Sequence, residues 1–444
     1  MVALRFAKIF SIAVIVTFFL SSVESAKNET DCPKTLSINA KSDGKGKKFI
    51  VVFKDKQAAQ RQHELFKNCF HAEIDSFDKI KSLNDKGKPA FVSFGIVNLF
   101  GLIGEMTPQF AKELEKMNDV DYIEEDGEVK AQYVVPSQLT RRAVDNKPTY
   151  NIDRIDQAKR PLDGKYTFPD SAGEGVNVFV VDSGIRITHK EFGGRAKFGG
   201  SFCNGCSEED EYGHGTHVAS IACGETLGVA RKATPISVKV LDDEGVGTFS
   251  SIIAGLNFVG ETHNKSKNKK SVVNMSIVGD KSKAVNYAIK QLTDAGVHVV
   301  VCAGNDSQDA CDISPASELS AITVGATEKN SDAITDFSNF GKCLDIFAPG
   351  RDIQGANFED DNSTLIISGT SQATPHAAGT IVLIIAKNGN KSPAEMAKVL
   401  YTLSTKGVVE GLKDGSPDSF GCKNICVILL LYYLKYLWRI WKIK

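Results

Sequence analysis

A chain of 444 residues with 42% hydrophobic and 24% charged side chains is too long for a small disulfide-stapled module and apolar enough for a sizeable packed core, so overall disorder is excluded. The net charge is −1, and the short basic stretch at 267–270 reads as a solvated loop, which argues against a nucleic-acid partner. The ten cysteines are too few and too scattered for a cysteine-framework fold. At the amino end, Arg5 and Lys8 precede an apolar stretch at 9–20 and the small-residue pattern Val23-Glu24-Ser25, the layout of a secretory signal peptide over 1–25; the stretch is short for a membrane anchor. Removal there sends the rest to an oxidising compartment. A polar stretch with a glycosylation sequon at Asn28 follows.

Residues 48–128 then alternate strand and helix signals. An apolar strand is expected at 49–53, a helix at 57–70, strand alternation at 91–106, a helix from Pro108 capped by Thr107, and a strand at 120–123. This is the pattern of a compact α+β unit with two helices. A polar link, roughly 132–148, contains Arg141-Arg142. Beyond it come short unbroken apolar runs at 176–181, 236–241, 272–275, 297–301 and 321–324, separated by helical segments. Such runs predict a buried parallel sheet with helices on both faces, an α/β architecture whose sites lie at the carboxyl ends of strands.

Four residues stand where that rule expects chemistry. Asp182 ends the first run in Val180-Val181-Asp182-Ser183-Gly184, a place where Asp is commonly a turn or cap residue. His214 follows Gly213 and opens a helix in which His217 reads as a packed residue; with no acidic residue placed as in the zinc-protease motif, metal ligation by the two histidines is the weaker reading. Ser371, in Gly369-Thr370-Ser371-Gln372-Ala373-Thr374-Pro375-His376, opens an apolar helix, as N-cap serines do, but a helix N-terminus also favours developing negative charge. Asn305 lies just past a strand in Ala303-Gly304-Asn305, either a turn former or an amide donor to an oxyanion.

Together, in the order Asp, His, Ser, these segments resemble the subtilisin family of serine peptidases, and within it the proteinase K-like fungal branch, from residue 48 to about 417. The resemblance implies a three-layer parallel-sheet α/β peptidase domain at 147–420, preceded at 48–134 by a small α+β, ferredoxin-like propeptide domain and followed by an atypical tail at 421–444. It implies a serine endopeptidase of broad specificity, made as a self-inhibited zymogen. Asp182, His214 and Ser371 would be the catalytic triad and Asn305 the oxyanion donor. Ser276, Ile277, Val278, Ala303, Gly304 and Gly245 would bind substrate. Its partners would be protein and peptide substrates and its own propeptide, whose residues 122–126 and the link after them would lie in the cleft. Self-processing is expected near 135–147.

The same resemblance implies a bridged pair Cys311–Cys343 and a structural calcium ion on Asp345 and the carbonyls of Leu319 and Ala321, with a capped-loop Asp as the alternative; no cofactor is implied for the chemistry itself. Cys32 with Cys69 is a candidate bridge in the propeptide. Cys203-Asn204-Gly205-Cys206 is open between a metal half-site, a tight disulfide and two free thiols, while Cys223 and Cys302 read as small buried residues. Two departures matter: Val278 stands where the family has Gly, which would narrow the primary pocket toward medium aliphatic side chains, and Gln372 stands where it has Met, which removes an oxidisable thioether. Asn264 and Asn362 are plausible surface sequons; Asn274 and Asn305 are discounted because they fall in the proposed active centre.

Ser392 to Glu395 forms a capping box for a last helix, but the final short segment expected to complete the domain is replaced by an apolar run at 425–434 and by Trp438 and Trp441. That tail either touches a membrane interface or is an artefact of gene structure, the preferred reading. A monomer is expected, extracellular or, as the alternative, vacuolar. The rival functions are a catalytically dead binding homologue, against which the complete residue set counts, and a membrane-tethered processing protease, which would need an acid-rich pocket.

Overall fold

The run Phe49-Ile50-Val51-Val52-Phe53 is apolar on both faces, which suits a strand between two packed layers. In the computed structural model, which describes residues 46–70, 73–76, 90–134, 147–413 and 415–421, it forms β1 (Lys47–Phe53) with all five side chains buried. With α1 (Lys56–Phe70), β2 (Glu73–Ser76), β3 (Ala90–Ile96), β4 (Leu99–Met106), α2 (Pro108–Glu115) and β5 (Val120–Glu125) it builds a five-stranded sheet in the order β2-β3-β4-β1-β5. Thr107 caps α2 as expected, its hydroxyl oxygen accepting the Phe110 N–H at 3.2 Å. Phe66, Phe110 and Leu114 of the helices pack on Val51, Phe91 and Leu102 of one sheet face.

The strand-type stretch at 91–106 is a hairpin of β3 and β4. Its turn contains no glycine: Val97 takes φ 53°, and the Asn98 N–H donates to Gln291 Oε1, 193 residues away, at 3.1 Å. A turn held by a distant side chain leaves little local trace.

After β6 (Glu128–Ala131) and α3 (Tyr150–Ile155), the apolar runs become strands: β7 (Asn177–Asp182), β9 (Thr234–Lys239), β11 (Ser271–Met275), β13 (His298–Cys302) and β15 (Ile322–Thr327). With β8 (Lys197–Ser201) and β16 (Ile346–Pro349) at the edges, they form one seven-stranded parallel sheet in the order β16-β15-β13-β11-β7-β9-β8. The glycine-containing β8 is only partly buried, so it has no apolar run to announce it.

One face of the sheet carries α4 (His214–Cys223), α7 (Thr370–Asn388) and α8 (Pro393–Leu403). The other carries α5 (Phe249–Lys265) and α6 (Lys283–Asp294). The remaining short strands are β10 (Val246–Thr248), β12 (Ile277–Asp280), β14 (Ile313–Ser314) and the pair β17 (Ile353–Ala356) and β18 (Thr364–Ile367). The second face of the amino-terminal sheet, including Ile50, Val52, Phe94, Ile96 and Leu99, shares a core with Ile252, Leu256 and Leu292 of α5 and α6.

Two expectations need correction. Residues 122–126 do not enter a cleft. β5 pairs with β1, Glu124 Oε2 accepts the Ala284 N–H at 3.1 Å, and Asp126 accepts the N–H (2.8 Å) and hydroxyl (2.7 Å) of Ser250, so these carboxylates meet the first turns of α6 and α5. Helix N-termini carry unpaired N–H groups and favour negative charge, which explains the preference. The domain also does have a closing segment: Phe420 is 1% exposed, Ser419 O accepts the Phe347 N–H at 2.8 Å, Phe420 pairs with Thr405, and the Arg154 guanidinium lies 4.1 Å over the Phe420 ring. The signal segment, Asn28, a Cys32–Cys69 bridge, Arg141-Arg142 and the tail from 422 lie outside the described residues, among which no helix is long and apolar enough to cross a membrane.

Candidate active site

Asp182 is the last residue of β7, at the carboxyl end of the sheet, and its side chain is fully buried. Its Oδ1 accepts the Ser183 N–H at 2.8 Å and is 2.8 Å from Nδ1 of His214. An ionised carboxylate only accepts, so Nδ1 is the protonated nitrogen and Nε2 is left with its lone pair. That Nε2 is buried and has no hydrogen-bond partner among the described residues.

His214 reaches this position because Gly213 turns the chain with φ 95°; a Cβ there would lie 2.2 Å from the Phe358 ring. Asp210 holds the turn, accepting the N–H groups of Gly213 (2.8 Å) and Thr216 (2.9 Å) and the Ser183 hydroxyl (2.9 Å). Beneath it, buried Lys239 donates to Ser183 O at 2.6 Å. Sequence reasoning passed over Asp210, which sits in an acidic stretch that looks like any solvated loop.

Ser371 lies in the first turn of α7 after Gly369. Its hydroxyl donates to the Ser276 carbonyl at 2.9 Å, and the Ser276 hydroxyl donates back to Ser371 O at 2.8 Å. Thr370, also unmarked in the sequence, sets the neighbouring amide: its N–H and hydroxyl both donate to Asn305 Oδ1 at 2.8 Å. With that oxygen engaged, Asn305 Nδ2 faces the cleft, where it donates to the carbonyl of Gln132 at 3.0 Å.

The cleft is occupied by the chain itself. β6 lies antiparallel between β10 and β12, with Val129 opposite Gly247 and Gly279, Lys130 opposite Val246 and Val278, and Ala131 opposite Ile277. Ala131 N–H donates to Gly245 O at 3.0 Å. Past Gln132, the Tyr133 ring stacks on His214 at 5.8 Å and lies 5.9 Å from Tyr212. Val134 then exchanges two backbone hydrogen bonds with Ser368 at 2.7 and 2.9 Å. A crevice of about 310 Å³ between these segments is lined by Gln132, Tyr133, Tyr212, Asn305 and Asp306.

Val278 is 6% exposed and packs with Cys302, Ala303 and Ile313. Gly304, at φ 96°, donates its N–H to Thr370 Oγ1 at 3.0 Å. Gln372 is fully buried, with neither amide atom paired among the described residues. Burial pushes the Cys302 and Cys223 thiols up to about 12, so both are uncharged. His217 is a packed residue bonded to Leu365 O at 3.1 Å. Asn274 is fully buried, whereas Asn264 and Asn362 are exposed. Cys203 and Cys206 form a disulfide, which removes the metal and free-thiol alternatives, and Cys311 is bridged to Cys343. Asp345 is solvent-exposed as a residue, yet local desolvation pushes its carboxyl up to about 6, and that carboxyl accepts the Thr323 N–H at 2.8 Å; Leu319 is exposed.

Comparison with known proteins gives this arrangement a family. Residues 173–421 match Peptidase_S8, the Subtilase family, and residues 48–132 match Inhibitor_I9, Peptidase inhibitor I9. The chain is 39% identical over 408 residues to Subtilisin-like protease 2 of Pseudogymnoascus destructans, covering 91% of this chain and 96% of that one. It is 43% identical over 321 residues to the Extracellular serine proteinase of Thermus sp. (strain Rt41A), covering 72% of this chain and 74% of that protein. A crystal structure of a cold-adapted subtilisin-like serine proteinase superposes with a TM-score of 0.59 at 36% identity, covering 63% of this chain and 99% of that chain. The chain belongs to the subtilase family and is a subtilisin-like serine protease with an I9 inhibitor propeptide ahead of its peptidase domain.

Proposed function

We propose that the protein is a secreted endopeptidase of broad specificity in which Asp182, His214 and Ser371 form the triad and Asn305 the oxyanion donor, held inactive by its own amino-terminal domain until processed. The observation that carries this reading is the 2.8 Å contact of buried Asp182 with His214 Nδ1, which leaves Nε2 unpaired at the base of the cleft. Ser371 would turn from the Ser276 carbonyl toward that nitrogen, which takes its proton as the oxygen attacks a peptide carbonyl and passes it to the leaving amine. Asp182 fixes the tautomer and stabilises the imidazolium. Asn305 Nδ2 and the Ser371 N–H, at the start of α7, stabilise the oxyanion. Gripping substrate through main-chain hydrogen bonds of β10 and β12 suits broad specificity. Secretion rests on the signal-like segment and on the extracellular relative.

The test is Ser371→Ala, expected to abolish hydrolysis of casein and leave the precursor uncut. A Ser371→Ala protein that cleaves casein and processes itself as fast as the native chain overturns the assignment.

The donor types fit a structural calcium ion: a carboxylate whose charged form is disfavoured by local desolvation, together with carbonyl oxygens, suits a hard cation. Asp345 with the carbonyls of Leu319 and Ala321 would hold it, with no part in the chemical step.

A further inference from the structure

We propose that Gln132–Tyr133 is the peptide bond that the enzyme cuts in itself, so that the propeptide ends at Gln132 and the processed enzyme begins at Tyr133. The inference rests on the proposed roles of Ser371 and Asn305 and names the bond they act on, upstream of the link at 135–147 where the cut was expected.

Three independent contacts set the register. On the amino side, 128–131 form ladders with both walls of the cleft, as a bound peptide strand would. At the centre, the Gln132 carbonyl is the one that accepts from Asn305 Nδ2, at 3.0 Å. It also lies near the start of α7: a Cβ placed on Gly369 would be 3.3 Å from Gln132 O. On the carboxyl side, Val134 pairs through both its N–H and its carbonyl with Ser368, three residues before the nucleophile, so the chain continues past Ser371 in extended form. The leaving residue, Tyr133, has its ring stacked on His214, the group that must protonate its nitrogen. The register cannot slip by one residue without turning every side chain of 128–131 to the opposite face and breaking the Val134–Ser368 pair. The Gln132 side chain adds to the fit, its Oε1 accepting the Asn305 N–H at 3.3 Å and its Nε2 donating to Asp306 at 3.4 Å.

The step balances with one water. Ser371 Oγ bonds to the Gln132 carbonyl carbon while His214 Nε2 takes the hydroxyl proton. The carbon–nitrogen bond to Tyr133 breaks and that proton goes to the departing nitrogen, which becomes a new amino terminus. Water then attacks the Gln132 acyl ester, giving up a proton through His214 to Ser371 Oγ and leaving Gln132 with a carboxylate.

The experiment is intact-mass and terminal sequencing of both fragments at early times after synthesis of the full chain. The propeptide fragment is expected to end at Gln132; this end is the decisive one because later trimming of the new amino terminus leaves it unchanged. Tyr133→Pro, which alters the scissile amide and leaves the triad untouched, is expected to slow precursor loss at least tenfold. An active enzyme whose first propeptide fragment ends elsewhere, for example after Arg142, or a Tyr133→Pro precursor lost at the native rate, overturns the register while leaving the protease reading intact. A native chain that cuts neither itself nor casein overturns both.

Discussion

Val278 shows how one side chain can shape a cleft that the backbone has already built. It lies opposite Lys130 in the ladder and packs with Cys302, Ala303 and Ile313, where the family's usual glycine would leave space. The Gln132 side chain correspondingly bonds at Asn305 N and Asp306. Forcing an aromatic ring past a branched side chain costs about 1–3 kcal/mol. Val278→Gly is therefore expected to raise kcat/KM for Phe or Tyr before the cut bond, relative to medium aliphatic residues, by roughly 5- to 150-fold. Peptide libraries cleaved by the two proteins are the measurement; an unchanged ratio would place the Val278 side chain outside the pocket. Asp210 and Thr370 act on the same scale as positioning residues, each taking up groups that would otherwise leave His214 or Asn305 free to turn.

At the element scale, the ends of helices and strands decide where the amino-terminal domain sits. Glu124 and Asp126 occupy the N-termini of α6 and α5, and the chain leaving Asp126 has only to run on to enter the cleft as β6. The loop between β14 and β15 poses a different problem. It turns back on itself through Glu318 N–H to Pro315 O at 3.0 Å and Ala321 N–H to Glu318 O at 3.1 Å, and leads into Thr323, whose N–H donates to the Asp345 carboxylate at 2.8 Å. An ionised carboxylate there is unfavourable without a cation, as its raised pKa of about 6 records. Chelation at pH 7 is expected to lower the melting temperature by several degrees, since ligand at 100 times its Kd contributes about 2.7 kcal/mol. Asp345→Asn should remove the dependence on chelator. An equal chelator effect in native and Asp345→Asn proteins would move the ion elsewhere.

For the whole molecule, two histidines on the active-site face of the sheet couple stability to pH. Burial lowers His217 to about 3 and His376 to about 4. In the unfolded chain both take up protons near 6.5. Their stabilising contribution is therefore complete above pH 6.5 and is lost as pH falls toward 4 and 3, by about 3 kcal/mol each at pH 4. Asp156, raised to about 6 by desolvation, acts in the opposite sense, stability falling as pH rises from about 4 to 6. Comparing native and His376→Asn proteins isolates the histidine: the fall in melting temperature from pH 7 to pH 4 should be smaller in the variant. Equal falls would show that His376 is protonated in the folded state.

The amino-acid sequence by itself determined the layered fold of both domains, because a strand buried on two faces must be apolar at every position and a capped helix start needs Thr107 or Ser392 at one place. It also marked Asp182, His214, Asn305 and Ser371, since each stands close to a strand end or helix start with a glycine within two residues, and the four segments together carry the family resemblance. What it left undetermined depends on partners far away in the chain. The Val97 turn needs Gln291, the closing role of Phe420 needs Thr405 and Arg154, and the pairing of the two adjacent cysteines Cys203 and Cys206 needs the loop geometry. Above all, nothing in Gln132-Tyr133-Val134 distinguishes it from the rest of a polar link. Only tertiary structure brings that carbonyl to Asn305, because the register is fixed jointly by two strands and a helix start that lie more than a hundred residues downstream.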